Sequence, residues 1–282
     1  MSYSCFNLNV ENHIARLEFK RPEACNSMNR DFWIEFPEAI RALDIEGDTR
    51  VLVISSQGKH FCSGMDLEVF TQPDQNLFNG EAGRRAESVR RLVMQLQECF
   101  MVLETARFPV ISAIQGGCIG GALDLVCATD MRYCTEDAYF TVKETALGMT
   151  ADLGTLQRLP NLIPPGLARE LAYTARKMHA QEAQTSGLVN QTFPDQASML
   201  DAVMNIAHQI AAHSPLAITG IKQMINYARD HSLHDSLSYM ATWQSGMFQP
   251  NDMMQSFSAK VSGKAAVFEP LRKITQPLQA AD

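Results

Sequence analysis

Apolar and polar residues alternate with period two over residues 5–10 and 13–19, which predicts two half-buried strands. Glu11-Asn12 between them predicts a tight hairpin turn, and Lys20-Arg21-Pro22 closes the second strand. Over residues 29–43 the apolar positions recur at helical spacing, with Asn29 placed as the cap. Residues 51–55 (VLVIS) form a short, wholly apolar run of the kind that makes a strand buried on both faces. A loop at 58–67 follows. Residues 81–105 then read as a long helix, with Val89, Leu92, Val93, Leu96, Phe100 and Leu103 on its apolar side.

Pro109 opens a second buried strand, VISAI. Residues 120–127 read as helix and residues 131–134 and 139–142 as strands. From Gly154 onward helices dominate, interrupted by a short strand at 188–193. Buried strands alternating with helices predict an α/β fold with a largely parallel core. The pattern divides the chain into a core at 1–213 and a helical region at 214–282. Met240, Met247, Met253 and Met254 give that region an adaptable packing surface, suited to a cap within the chain, a subunit interface or both.

Composition changes the picture mainly by exclusion. The 282 residues are 46% hydrophobic and 20% charged, which is the balance of a folded globular chain. A net charge of −7 speaks against nucleic acid as the main partner, because phosphate backbones need a basic face. The most apolar window, 109–128, holds Gln115, Asp124 and four glycines, a mix that speaks against a membrane span. Seven cysteines, an odd number without a CxxC pair, predict reduced core thiols and no metal site. With no leader, transit peptide or peroxisomal tripeptide in view, the expected location is the cytoplasm.

Three carboxylates stand out against this background: Asp124 in GGALDLVC, Glu144 in FTVKETALG and Asp152 in MTADLGTL. A buried carboxylate costs several kcal/mol unless it is paired, hydrogen-bonded or protonated, so three in apolar surroundings suggest a site that handles protons. Plainer readings exist for two of them. Asp152 sits where it could cap the helix beginning near Gly154, and Glu144 could pair with Arg158. Asp124, flanked by Leu123, Leu125 and Val126, has no such reading.

Glycines 116, 117, 120 and 121 precede Asp124 where a strand gives way to a helix, so free N–H groups there could meet an anion. The pattern is neither GxGxxG nor a P-loop. A second loop, HFCSGMDL at 60–67, also follows a buried strand. N–H groups from two such loops can form an oxyanion hole. Asp66 in that loop reads as a helix cap.

Arg21-Pro22 with Asn26-Ser27-Met28, FCSGMDL at 61–67, IQGGCIGGALDL at 114–125, Asp130 with Tyr139-Phe140 and Glu144, and GTLQRLP at 154–160 occur in one order and spacing over roughly residues 5–260. In this the chain resembles the crotonase (enoyl-CoA hydratase/isomerase) superfamily. The resemblance implies a crotonase-like spiral core of ββα repeats, with a C-terminal helical oligomerisation region that forms homotrimers or homohexamers. It also implies a coenzyme A thioester as substrate and no separate cofactor, the coenzyme A being part of the substrate. Met65 and Gly121 would supply the oxyanion N–H groups, each worth about 2.7–4 kcal/mol in transition-state terms. Lys20, Arg21, Lys59, Ser63 and Lys260 are candidates for holding coenzyme A, with Lys264 beside Lys260. An acyl pocket is expected from the Phe70 to Phe78 region and the helix after it.

Hydratases of this family carry Glu at the positions matching 124 and 144. Here position 124 is Asp, shorter by about 1.5 Å, and Asp152 adds a third acid. That set resembles the branch that converts 3,5-dienoyl-CoA to 2,4-dienoyl-CoA in unsaturated fatty acid β-oxidation. By that resemblance Glu144 would take the C2 proton and Asp152 would deliver one at C6. Asp124 would orient Glu144 or a water and raise its neighbours' pKa. A hydratase, a Δ3-Δ2-enoyl-CoA isomerase or a non-catalytic scaffold of the same fold are the alternatives.

Overall fold

The computed structural model describes residues 3–71 and 79–275. Its first hairpin joins β1 (Phe6–Glu11) to β2 (Ile14–Phe19) in antiparallel register, Phe6 facing Phe19. The turn is at Asn12-His13, one residue later than the sequence pattern suggests, and both residues have positive φ, as a two-residue hairpin of this hand requires. β3 (Val51–Ser56) and β4 (Val110–Ile114) are buried at every position, which is why they read as unbroken apolar runs.

With β6 (Met131–Thr135) and β9 (Gln191–Phe193) these strands form one sheet, ordered β1-β2-β3-β4-β6-β9 and parallel from β2 onward. The strand expected at 188–193 begins only at Gln191, because Leu188 and Val189 go into the core instead. A second, three-stranded sheet joins β5 (Gly117–Ile119), β7 (Tyr139–Thr141) and β8 (Met178–His179). β5 lies inside the glycine-rich stretch. Glycine is a poor strand former, so nothing in the pattern announces it.

Helix Arg30–Glu46 starts at Asn29, whose side chain accepts the Phe32 N–H at 3.1 Å. It packs on helix Ala82–Thr105, and Trp33 and Phe100 meet with ring centroids 5.6 Å apart. Helix Gln196–Ala211 covers the other face of the large sheet, burying Met199, Val203 and Ala207 against Val51, Val53 and Ile111. Six of the seven cysteines are buried and Cys25 is exposed; all are free thiols.

The helical region consists of Pro215–Asp230, Leu233–Met247 and Pro250–Ser262. Its first helix is pinned to the core. The Lys222 ammonium, only 5% exposed, meets Asp130 at 3.0 Å and donates to the carbonyls of Leu103 (2.6 Å) and Phe108 (2.9 Å). The later helices leave Leu237, Met254, Phe257 and Val261 exposed. A cavity of about 710 Å³ lies among the three helices, lined by Met224, Trp243 and Met247. No helix among the described residues is long and apolar enough to cross a membrane.

Removing one partner of a buried ion pair leaves the other group uncompensated, at a cost of about 3–5 kcal/mol. Lys222→Ala is therefore expected to lower the free energy of unfolding by about 3 kcal/mol, measured by urea titration. A loss within error of zero would show that Asp130 and the two carbonyls find water instead.

Candidate active site

The site begins with two short parallel bridges. Met28 donates its N–H to the Gly64 carbonyl (2.9 Å) and accepts from the Asp66 N–H (3.0 Å), so it pairs across to Met65. In such a bridge the flanking residues make the bonds, and the N–H of Met65 itself is left over. Cys62 likewise donates to Gly117 and accepts from Ile119, both at 3.1 Å. These bonds lock the 61–66 loop to β5. Gly121, first residue of the helix Gly121–Cys127, has an N–H with no acceptor inside that helix. Among the described residues nothing accepts from either N–H.

The two groups are neighbours. A Cβ on Gly121 would lie 3.7 Å from the Met65 nitrogen, and one on Gly64 would lie 3.2 Å from the Gly121 nitrogen. Gly64 has φ 87° and no room for a Cβ, which would fall 2.6 Å from the Ile119 carbonyl. Asn26 braces the loop from below. Its side chain accepts the Arg21 N–H (2.9 Å) and donates to the carbonyls of Gln57 (2.9 Å) and His60 (3.0 Å). Asp66 is a cap, as its sequence context suggests: it accepts the Glu68 N–H at 3.1 Å and the Ser27 hydroxyl at 2.7 Å.

Glu144 comes to the same place from the other side. It is half-buried just after β7, and a Cβ on Gly120 would lie 3.2 Å from its Oε1. Gly120, at φ 55° and ψ −122°, takes a backbone conformation closed to other residues and leaves room for that carboxyl. Burial pushes the Glu144 pKa up. Its own and the Lys143 backbone N–H groups pull it down, and the charge of Asp152 pushes it up again. The expected pair with Arg158 does not form, because Arg158 pairs with Glu104 at 2.5 Å.

Asp124 is 1% exposed. Its Oδ1 accepts the Thr155 N–H at 2.6 Å, so it caps the helix Thr155–Leu162 from a different helix. The Thr155 hydroxyl lies close enough to weigh on the carboxyl without closing a hydrogen bond of its own. Burial drives the Asp124 pKa up to about 7. Thr155 opposes this, and the charges of Glu144 and Asp152 reinforce it. Local sequence context alone offered Asp152 as the cap, while the family resemblance made it the C6 acid and Asp124 the orienting residue. The cap belongs to Asp124, since the helix N-cap residue is Gly154 and no side chain from the segment itself serves. Among the described residues no hydrogen bond joins Asp124 to Glu144.

Asp152 is exposed, and loss of solvent around it raises its pKa against the pull of its own backbone N–H. The charge of Asp152 raises the pKa of both Asp124 and Glu144, and that of Glu144 raises the pKa of Asp124.

The candidates for coenzyme A are scattered. Lys20 donates to the Tyr3 carbonyl at 2.6 Å, and Arg21 holds the Ser27 carbonyl at 2.7 Å and faces Asp66 at 3.7 Å. Lys20 is thus engaged with the N-terminal segment and Arg21 with Ser27 and the loop residue Asp66. Lys59 is exposed at the start of the oxyanion loop and Ser63 is half-buried within it. Lys260 is exposed on the helix Pro250–Ser262, on which nothing ties it to the carboxylates within one chain. Of the region expected to line an acyl pocket, the Phe70 side chain and residues 72–78 lie outside the described residues. Among the described residues no group of three or more His, Cys, Asp or Glu is arranged to hold a metal ion.

Sequence reasoning missed Asn26 as the brace of the loop and Thr155 as the partner of Asp124. The Asn in RPEACNSM was visible as a motif residue, but its three partners lie up to 34 residues away.

The family model for enoyl-CoA hydratase/isomerase matches residues 9–269. The chain is 44% identical over 256 residues to the mitochondrial Δ(3,5)-Δ(2,4)-dienoyl-CoA isomerase of Rattus norvegicus, covering 90% of this chain and 78% of that protein. It is 40% identical over 264 residues to the peroxisomal Δ(3,5)-Δ(2,4)-dienoyl-CoA isomerase of Arabidopsis thaliana, covering 93% and 95%. The crystal structure of an enoyl-CoA hydratase from Bacillus anthracis superposes with a TM-score of 0.84 at 28% identity, covering 96% of this chain and 99% of that one. The cytoplasmic location expected from the ends of the chain does not stand, since these isomerases are mitochondrial or peroxisomal. A leader missing from view is weak ground for a location.

The raised Asp124 pKa fixes the sign of a pH effect. Between its ordinary value of 3.8 and about 7 the folded protein holds a proton there that the unfolded chain has lost. Stability is thus greatest at low pH and falls as pH rises through this window. Asp124→Asn stays neutral and still accepts the Thr155 N–H. Between pH 5 and pH 8 the parent is therefore expected to lose about 2–3 kcal/mol relative to this variant, measured by urea unfolding. An equal difference at the two pH values would mean that Asp124 titrates normally.

Proposed function

The chain belongs to the enoyl-CoA hydratase/isomerase family, and on that premise we propose that it moves the double bonds of a 3,5-dienoyl-CoA to the 2,4 positions. It is an isomerase, in keeping with relatives 40–44% identical over most of its length. The observation that carries the reading is the second mobile acid. Asp152 is not consumed as a helix cap, and its charge raises the pKa of Glu144. A hydratase has no use for an acid at the far end of a diene.

The steps balance within one substrate. Glu144 takes a proton from C2, the C–H electron pair forms C1=C2, and the thioester C=O pair moves onto oxygen to give the dienolate. When C=O re-forms, the C1=C2 pair becomes C2=C3, the C3=C4 pair becomes C4=C5, and the C5=C6 pair takes the proton that Asp152 delivers to C6. While the dienolate exists, its thioester oxygen carries negative charge, and the N–H groups of Met65 and Gly121 stand ready to receive it. Afterwards Glu144 is protonated and Asp152 is not, so the pair resets by returning one proton. Raised pKa values at both acids suit groups that must carry and release protons near neutrality. Asp124 holds the helix that follows Asp152 and, being neutral over part of the working range, spares the site a third charge.

No electrons leave or enter the substrate, so coenzyme A enters only as part of the thioester and no redox cofactor is required. Lys59, exposed beside the oxyanion loop, is the residue proposed to meet the coenzyme A phosphates, with Ser63 next to it. The exposed apolar side chains of the last two helices support assembly as a homotrimer or homohexamer. Sedimentation of the native chain is expected to give three or six copies, and a monomer would reject the assembly.

With 3,5-dienoyl-CoA as substrate, the conjugated 2,4-dienoyl product is expected to appear by ultraviolet absorbance. Hydration of a 2-enoyl-CoA, run alongside, is expected to be far slower. Fast hydration without diene formation would make the protein a hydratase. Asp152→Asn is expected to cut diene formation by at least about 100-fold, the scale of losing a general acid, with thioester binding unchanged by calorimetry. Retained turnover would remove Asp152 from the mechanism.

A further inference from the structure

We propose that Gln97, on the long helix Ala82–Thr105, is a positioning residue that places Asp152 and so decides whether the dienolate goes forward to product or back to substrate. The inference rests on the reading of Asp152 as the C6 acid.

Three side chains of that helix grip the Asp152 segment. Gln97 Nε2 donates to the Asp152 carbonyl at 2.6 Å. Met101 Sδ accepts from Arg158 Nη2 at 3.0 Å, and Glu104 takes the same nitrogen at 2.5 Å. Arg158 in turn donates from Nη1 to the Leu153 carbonyl at 3.3 Å. Residues 97, 101 and 104 recur at helical spacing, so one stripe of one rigid element carries the whole segment. The attachments are not equivalent. Arg158, Glu104 and the Asp124–Thr155 bond hold the segment at Leu153, Thr155 and Arg158. Gln97 is the one group outside the segment, among the described residues, that hydrogen-bonds Asp152 itself.

The Asp152 carboxyl is exposed and makes no side-chain hydrogen bond to another residue among the described ones. Where it stands therefore follows from where its backbone is held. Glu144 is set from a different place, just after β7 and beside Gly120, and does not depend on Gln97. Loosening Asp152 thus impairs proton delivery at C6 while leaving removal and return of the C2 proton intact. A dienolate that waits longer for its C6 proton returns more often to substrate through Glu144.

The test follows 3,5-dienoyl-CoA in D₂O with two readouts: diene absorbance, and deuterium at C2 of recovered substrate. Gln97→Leu removes the donor and keeps the size at a half-buried position. Diene formation is expected to fall about 10- to 100-fold, the scale of a misplacement near 1 Å, while C2 exchange stays within about twofold. The ratio of exchange to product rises accordingly, and the melting temperature is unchanged. Gln97→Met, which lacks the donor, keeps the chain length and adds no charge, gives the same shift should the Leu variant fold poorly. A parallel fall in both readouts, or no change in either, overturns the proposal. Asp152→Asn in the same assay separates the two levels. If it still forms diene, the role of Asp152 itself is wrong. If it does not and Gln97→Leu behaves as the parent, only the role of Gln97 is wrong.

Discussion

Everything at this site depends on a hydrogen bond that is not made. When Met28 bridges to the 64–66 loop, its two bonds go to Gly64 and Asp66, and the N–H of Met65 between them has no acceptor among the described residues. An unpaired N–H would ordinarily cost free energy if it were buried. Here it lies beside the equally unpaired N–H that starts the helix Gly121–Cys127. The surrounding bonds exist to keep it so. The second bridge, between Cys62 and Cys118, holds the loop against β5. Asn26 ties it to two further backbone segments, and Gly64 allows a contact with Ile119 that any side chain would prevent. Donors fixed this firmly do not have to reorganise when charge develops in front of them, which is where their catalytic worth lies.

Against those donors the fold sets three acids, and the molecule bears the electrostatic cost in different ways. Asp124 is buried and partly neutralised, its pKa near 7, and its oxygen is used to start a helix. Glu144 is half-buried and keeps contact with the space beside Gly120. Asp152 is open. This gradation of burial lets like charges share one site, because the deepest acid is also the one most often protonated. It also divides labour. The buried acid holds structure in place, and in the proposed reaction the two more exposed acids exchange protons with the substrate.

The same core could serve other chemistry. The fold is shared with enzymes named as hydratases, and fold likeness alone does not separate them. What separates them is the identity and freedom of a few side chains. A shorter acid at 124, drawn onto the Thr155 amide, leaves the cleft to Glu144 and Asp152. The long helix then becomes more than packing, since Gln97, Met101 and Glu104 hold the segment on which Asp152 stands.

By itself the sequence determined the elements that local physics controls. Alternation over the first hairpin, the mostly apolar β3 and β4, the Asn29 cap and the helix ending at Thr105 are each written in neighbouring residues. So is the presence of three acids in apolar surroundings, and their order with the glycine motifs marked the family. Tertiary structure alone decided what those residues do. Which acid caps the helix at Thr155 turns on a bond between residues 31 apart, and local spacing pointed to the wrong one. The short strand β5 exists because β7 and the Cys62 bridge receive its backbone, not because glycines favour extended structure. The charges of Lys20 and Arg21 looked available in the sequence but are engaged by the Tyr3 and Ser27 carbonyls. Short-range pattern records propensity and periodicity. The assignment of a hydrogen bond or a charge to its partner is a property of distance in space, which pattern does not encode.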